Sequence, residues 1–110
     1  MRRAFALFEA AKMLIRTRAP DVNLTAEHLA QALGCSRAHL YRVFAEHGGT
    51  IGDALRDARM EIARSLLMLT PSLPVQQIAH RSGYASAAAF GRAFRTATGH
   101  TPIGYRMSLS

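Results

Sequence analysis

Four arginines, Arg37, Arg42, Arg92 and Arg95, fall in two stretches that share a frame: SRAHLYRVF at residues 36–44 and SAAAFGRAFR at residues 86–95. In each, a serine (Ser36, Ser86) is followed four residues on by an apolar side chain (Leu40, Phe90), then by Arg and Phe at two-residue steps. A guanidinium is a planar fork of donors that matches a phosphate or the major-groove edge of guanine. The chemistry on offer is recognition of a polyanion. Bond-making chemistry finds no comparable support. The histidines His28, His39, His47, His80 and His100 show no HExxH spacing and no partnering Cys or clustered carboxylates, so no metal site is expected. There is no G-x-S-x-G and no Walker-type loop, and Gly48-Gly49 and Gly99 read as helix ends. The single cysteine, Cys35, precludes an internal disulfide and a cysteine-rich zinc site and is expected to be a small buried residue. No enzyme and no cofactor are expected.

The chain has 110 residues, 49% of them hydrophobic, which suits one compact domain or two very small subdomains on a shared connector. No apolar run approaches the roughly 18 residues of a membrane span, so no membrane partner is expected and a cytoplasmic location follows by default. The net charge of +7 is unevenly distributed: all seven carboxylates precede residue 62, and from Ile62 onward there are five arginines and none. A half-domain whose only formal charge is arginine carries an uncancelled positive field, which favours a polyanionic partner.

These side chains must be held by helices, since no convincing β alternation occurs anywhere. Apolar residues at 4, 7, 8, 11, 14 and 15 make a helical stripe over residues 2–18, stopped at Ala19-Pro20-Asp21. Thr25 can cap a short helix ended by Gly34, and Ser36 a second one running to His47. Thr50 with Asp53 resembles a capping box opening a long amphipathic helix to Leu69, broken by Thr70-Pro71-Ser72-Leu73-Pro74. A short helix over 75–81, a turn at Gly83, a helix from Ser86 to Thr98 and a last turn from Thr101-Pro102 through Tyr105 complete the chain.

A shift of 49 aligns Ala30 with Ala79 and Gly34 with Gly83; a shift of 50 aligns Ser36, Arg42, Phe44 and Gly49 with Ser86, Arg92, Phe94 and Gly99. Each copy is a short helix, a glycine-bearing turn and a capped second helix, the pattern of a helix-turn-helix unit. Two copies are too few for a stable solenoid. In the first copy Leu40, Val43, Phe44 and His47 should face the short helix, leaving Ala38, Tyr41, Arg42 and Ala45 outward. In the second, Phe90, Ala93, Phe94 and Ala97 should face inward, and Ala88, Gly91, Arg92 and Arg95 outward. An outer face of small residues and arginines can lie close against a major groove.

With these elements in place, the segment IAHRSGYASAAAFGRAFRTATGHTPIGYR resembles the signature of the AraC/XylS family of bacterial transcription regulators, and LRDARMEIARSLL is similar to that family's linker helix. The resemblance runs from about Leu24 to Arg106. It implies an all-α fold of about seven helices, with homeodomain-like helix-turn-helix subdomains at 1–50 and 70–110 joined by a linker helix at 51–69. It further implies sequence-specific binding to double-stranded DNA, with both recognition helices in successive major-groove segments. Carried across, the base-facing positions are Ala38, Tyr41 and Arg42 in the first helix and Ala87, Ala88, Gly91 and Arg92 in the second. Arg37 and Arg95, with the caps Ser36 and Ser86, are the expected phosphate contacts. Ala87, Ala88 and Gly91 depart from the longer polar side chains common there, so that helix should rely on Arg92, on thymine methyl contacts or on DNA shape.

A connector of about 18 to 20 residues spans roughly 30 Å, comparable with one turn of B-DNA at about 34 to 36 Å. An asymmetric site of about 20 bp bound by one monomer, with some bending, is therefore expected. The rival reading is a helical interaction module without DNA specificity, which would carry apolar rather than arginine-bearing outer faces. RNA polymerase is an additional partner in the case of an activator. Family members occur alone and as C-terminal domains of longer regulators; the latter arrangement is expected here, with Phe5 beside the first stripe either a contact to a preceding domain or a residue of helix packing.

Overall fold

Seven α-helices occupy residues 2–109, the stretch described by the computed structural model, and no strand occurs among the described residues. They are α1 (Arg2–Arg18), α2 (Ala26–Leu33), α3 (Arg37–His47), α4 (Ile51–Leu69), α5 (Val75–Arg81), α6 (Ala87–Thr98) and α7 (Pro102–Ser108). Hydroxyl caps start five of them. Thr25, Ser36, Thr50, Ser86 and Thr101 each accept a hydrogen bond from the amide three residues on, at 3.0–3.2 Å. Each such cap contributes about 1 kcal/mol. α5 lacks one and begins after Pro74, which presets an extended backbone there.

The apolar residues of these helices form two cores, and α4 belongs to both. Phe8, Ala11 and Ile15 of α1 pack with Leu29 and Ala30 of α2, Leu40, Val43 and Phe44 of α3, and Ile51 and Ala58 of α4. The second core unites Met60, Ala63 and Leu67 of α4 with Ile78 and Ala79 of α5 and Phe90 and Phe94 of α6. At 3.6 residues per turn the two α4 stripes lie about 160° apart around the helix. One helix thus serves as the spine of two lobes. The radius of gyration, 15.2 Å, exceeds the value of about 13 Å for a compact domain of about 100 residues, and the molecule measures 46 × 22 × 21 Å.

Three details depart from the expectations above. α7 continues past Tyr105 to Ser108, since nothing from Arg106 to Ser108 breaks a helix. Ala97 is exposed, not inward. His47 is exposed too and meets the rings of Phe5 and Phe8 on α1, at 5.8 and 5.2 Å between centroids, instead of the α2 side chains. For Ala97 and His47 the cause is length: α2 and α5 have 8 and 7 residues against 11 and 12 for their partners, so neither reaches its partner's last turn. Cys35 is half-buried, and Phe5 keeps 54% of its surface exposed.

α7 closes the second lobe. Tyr105 sets its ring edge-on to Phe94 at 5.4 Å. Arg106 donates from Nη2 to the Thr70 carbonyl at 3.2 Å, tying α7 to the end of α4. The Tyr-Arg pair that closes the sequence signature therefore performs a packing task.

Candidate nucleic-acid interface

α3 buries Leu40, Val43 and Phe44, and α6 buries Phe90 and Phe94, so the two helices are held in matching register on their short partners. The opposite face of α3 leaves Arg37, Ala38, Tyr41 and Arg42 exposed, Tyr41 by 50%. On α6, Ala88, Arg92 and Arg95 are exposed, while Ala87 and Gly91 are half-buried. Ser36 and Ser86 are exposed at the helix starts, each with its hydroxyl engaged at 3.1 Å by the amide of His39 or Ala89. The amides of Arg37, Ala38, Ala87 and Ala88 lie in the first turns and have no intrahelical acceptor, so they carry the positive end of each helix dipole.

None of Arg37, Arg42, Arg92 and Arg95 takes part in an ion pair among the described residues, where the pairs are Lys12–Glu9, Arg56–Asp53 and Arg56–Asp57. Their charge is not spent internally. Residues 70–110 carry four arginines and no carboxylate, and only Arg106 of these is turned to the Thr70 carbonyl. Arg81, Arg92 and Arg95 are all exposed.

A cleft between α5 and α6 is lined by Gln76, Gln77 and His80 on one side and Ser86 and Ala87 on the other. It sets three exposed polar side chains beside the α6 N-terminus, donors that the repeat pattern did not single out because their counterparts in α2 are Glu27 and His28 and Gln31. Gly91 has open space where a Cβ would stand, with no neighbouring heavy atom within 4 Å. No internal contact requires a glycine there. No group of three or more His, Cys, Asp or Glu residues able to hold a metal occurs among the described residues, and no described helix is long and apolar enough to cross a membrane.

Arg59 on α4 donates from Nε to the Ala19 carbonyl at 3.0 Å and from Nη2 to the Asp21 carbonyl at 2.9 Å. Its guanidinium carbon lies 5.6 Å from the centroid of the Tyr84 ring. Burial lowers the Arg59 pKa, and Tyr84 and Asp21 act to raise it. Burial likewise raises the Tyr84 phenol, opposed by Arg59 and Arg56. Near neutral pH the pair is therefore a cation over a neutral ring.

A helix-turn-helix domain family matches residues 29–108 of the chain. The chain is 40% identical over 79 residues to the HTH-type transcriptional regulator GlxA of Rhizobium meliloti, covering 71% of this chain and 24% of that protein. Among solved structures, the C-terminal domain of AraT, a response regulator from Geobacillus stearothermophilus, superposes with a TM-score of 0.88 at 34% identity, over 93% of this chain and 84% of that one. The DNA-binding domain of AdpA, solved in complex with a target DNA, superposes with a TM-score of 0.81 at 26% identity, covering 93% and 90%. The chain thus spans about a quarter of the length of GlxA and most of each isolated domain.

Proposed function

The chain belongs to the AraC-type helix-turn-helix family of transcription regulators, and we propose on that premise that it binds duplex DNA sequence-specifically as one monomer, with α3 and α6 in successive major-groove segments. The observation that carries this reading is the pairing of Arg42 and Arg92: exposed, free of ion pairs, and at the same register on two identically capped helices. Arg42 with Tyr41 and Ala38 reads one half-site; Arg92 with Ala87, Ala88 and Gly91 reads the other. A bidentate arginine–guanine contact supplies about 1–3 kcal/mol of discrimination. Arg37 and Arg95, with the free amides behind Ser36 and Ser86, hold phosphates and set the register. Gln76, Gln77 and His80 extend that set at the second half-site. Such a domain works beside the chromosome, in the bacterial cytoplasm, as the DNA-binding portion of a longer regulator.

A titration of the chain against random duplex at several salt concentrations tests the electrostatic part of this reading. If about five or six phosphates are neutralised, log affinity should fall against log salt with a slope near −5. A folded chain with no measurable affinity for DNA would contradict the reading and favour an interaction module. Met68, Leu69 and Ile103, exposed on α4 and α7, are 56%, 73% and 60% accessible. They belong to neither recognition helix and favour an additional protein contact, of which RNA polymerase is the natural case for an activator.

Gly91 supplies a second, opposite-signed test. With open space at its Cβ position, Gly91→Ala should stabilise the fold by up to about 1 kcal/mol through helix propensity. If α6 lies tight against bases, the same methyl should weaken DNA binding. Thermal melts and binding titrations on one preparation separate the two effects; unchanged affinity would place the groove floor farther from α6.

A further inference from the structure

We propose that Arg59 is the clasp that fixes the two recognition lobes relative to each other, and thereby sets the half-site spacing that the chain accepts. The inference rests on the DNA-binding reading for its consequence, but the clasp itself is a matter of geometry. α4 alone does not lock the lobes, because each lobe rides on its own stripe of that helix and can roll about its axis. With helices packed about 8–10 Å apart, a roll of about 20° would swing α6 by roughly 3 Å around the α4 axis, more than half of the about 34–36° of angular phase that one base pair adds along a duplex of about 10–10.5 bp per turn. A contact between the lobes away from the α4 axis is what stops such a roll.

Arg59 makes that contact. On one side its guanidinium holds the carbonyls of Ala19 and Asp21, where the chain leaves α1, and Ala19 is fully buried in the first core. On the other side it lies over Tyr84, whose ring packs on Phe90 in the second core. Gly83 completes the joint. Its φ is +93°, and a Cβ there would stand 2.2 Å from the Ala19 carbonyl oxygen and 2.7 Å from Arg59 Nε. The turn of the second unit therefore rests directly on first-lobe backbone, an approach open only to glycine. Gly34, its counterpart in the first repeat, has the same left-handed backbone but nothing within 4 Å of its Cβ position. The two units share a turn, and only the second uses it as a bearing surface.

The test uses the full chain with spin labels at Glu46→Cys on α3 and Thr96→Cys on α6, in a Cys35→Ser background. Distances between the labels, measured without DNA, should be narrowly distributed in the parent and broad in Arg59→Met, which keeps the apolar stem and loses both hydrogen bonds. Arg59→Lys, which keeps the charge but cannot fork between two carbonyls, should fall between them and carries the test if the methionine variant does not fold. In the DNA arm, one base pair is added or removed between the half-sites of the selected operator. The parent should lose about tenfold or more in affinity, as for a mismatched contact, whereas the Arg59 variants should bind the natural spacing more weakly and discriminate less, with isolated half-site affinity unchanged. Narrow distances together with an intact spacing penalty in both variants would overturn the proposal. Failure of the parent to select any operator would instead overturn the DNA reading, leaving the distance measurement to decide the clasp.

Discussion

Replacing both Arg42 and Arg92 with alanine should weaken binding to the selected operator by about 2–6 kcal/mol, the sum of about 1–3 kcal/mol for each lost bidentate contact. The two effects should add, because the residues sit on separate helices in separate lobes and share no partner. Each single variant should relax preference at one cluster of base positions and leave the other intact. Folding should be unaffected, since both side chains are exposed and unpaired. Arg95→Ala supplies the contrast: as a phosphate contact it should weaken all sequences alike and reduce the salt slope by about 1. Binding titrations against operator variants, at fixed salt, make the distinction. A double variant that binds the operator as tightly as the parent would remove the arginines from the reading mechanism.

Phe94→Ala should destabilise the chain by about 3–5 kcal/mol, the usual range for deleting a buried phenyl ring. Phe94 has no exposed surface and sits between the rings of Phe90 and Tyr105, at 5.6 and 5.4 Å. Its loss opens a cavity under α6 and unseats α7 together. Against a total stability of roughly 5–15 kcal/mol for a small domain, that is a large fraction, and it falls on the smaller of the two cores. Urea unfolding followed by helical circular dichroism measures it. The affected lobe carries Arg92, so second half-site recognition should fail before the first. A loss below about 1 kcal/mol would mean that α6 is held by something other than its aromatic stripe.

Much of this architecture is legible in the amino-acid order because the signals are local. The hydroxyls of Thr25, Ser36, Thr50 and Ser86 announce helix starts, and each makes the expected bond; Thr101, read as opening a last turn, makes the same bond. The repeat of Ser, Arg and Phe announces the matched register of α3 and α6. For the buried faces of these helices, the deciding contact is not local. His47 and Ala97 satisfy the helical period but lie beyond the reach of α2 and α5, whose lengths relative to their partners set where burial ends. Arg59 reads as one more surface arginine on an amphipathic helix. Its role depends on the path of the chain at Ala19 and on the angle between lobes, neither of which leaves a mark near residue 59. Gly83 is masked differently: its alignment with Gly34 explains it fully as a turn, and hides the close approach that distinguishes it.

The candidate face shows the same division. Exposure of Arg42 and Arg92 follows from phase, whereas the half-burial of Ala87 follows from how closely α5 approaches the start of α6. The Tyr-Arg pair at 105–106 was legible as a motif and not as a function. Its role lies in the packing of α7 on α6 and α4.

Selection of bound duplexes from a random pool, repeated with the Arg42→Ala and Arg92→Ala variants, tests the bipartite reading most directly. The parent should return two blocks of preferred bases about one helical turn, roughly 10–10.5 bp, apart, with Arg42→Ala erasing one block and Arg92→Ala the other. A single block, a palindrome occupied only by dimers, or no enrichment from a folded chain would contradict it.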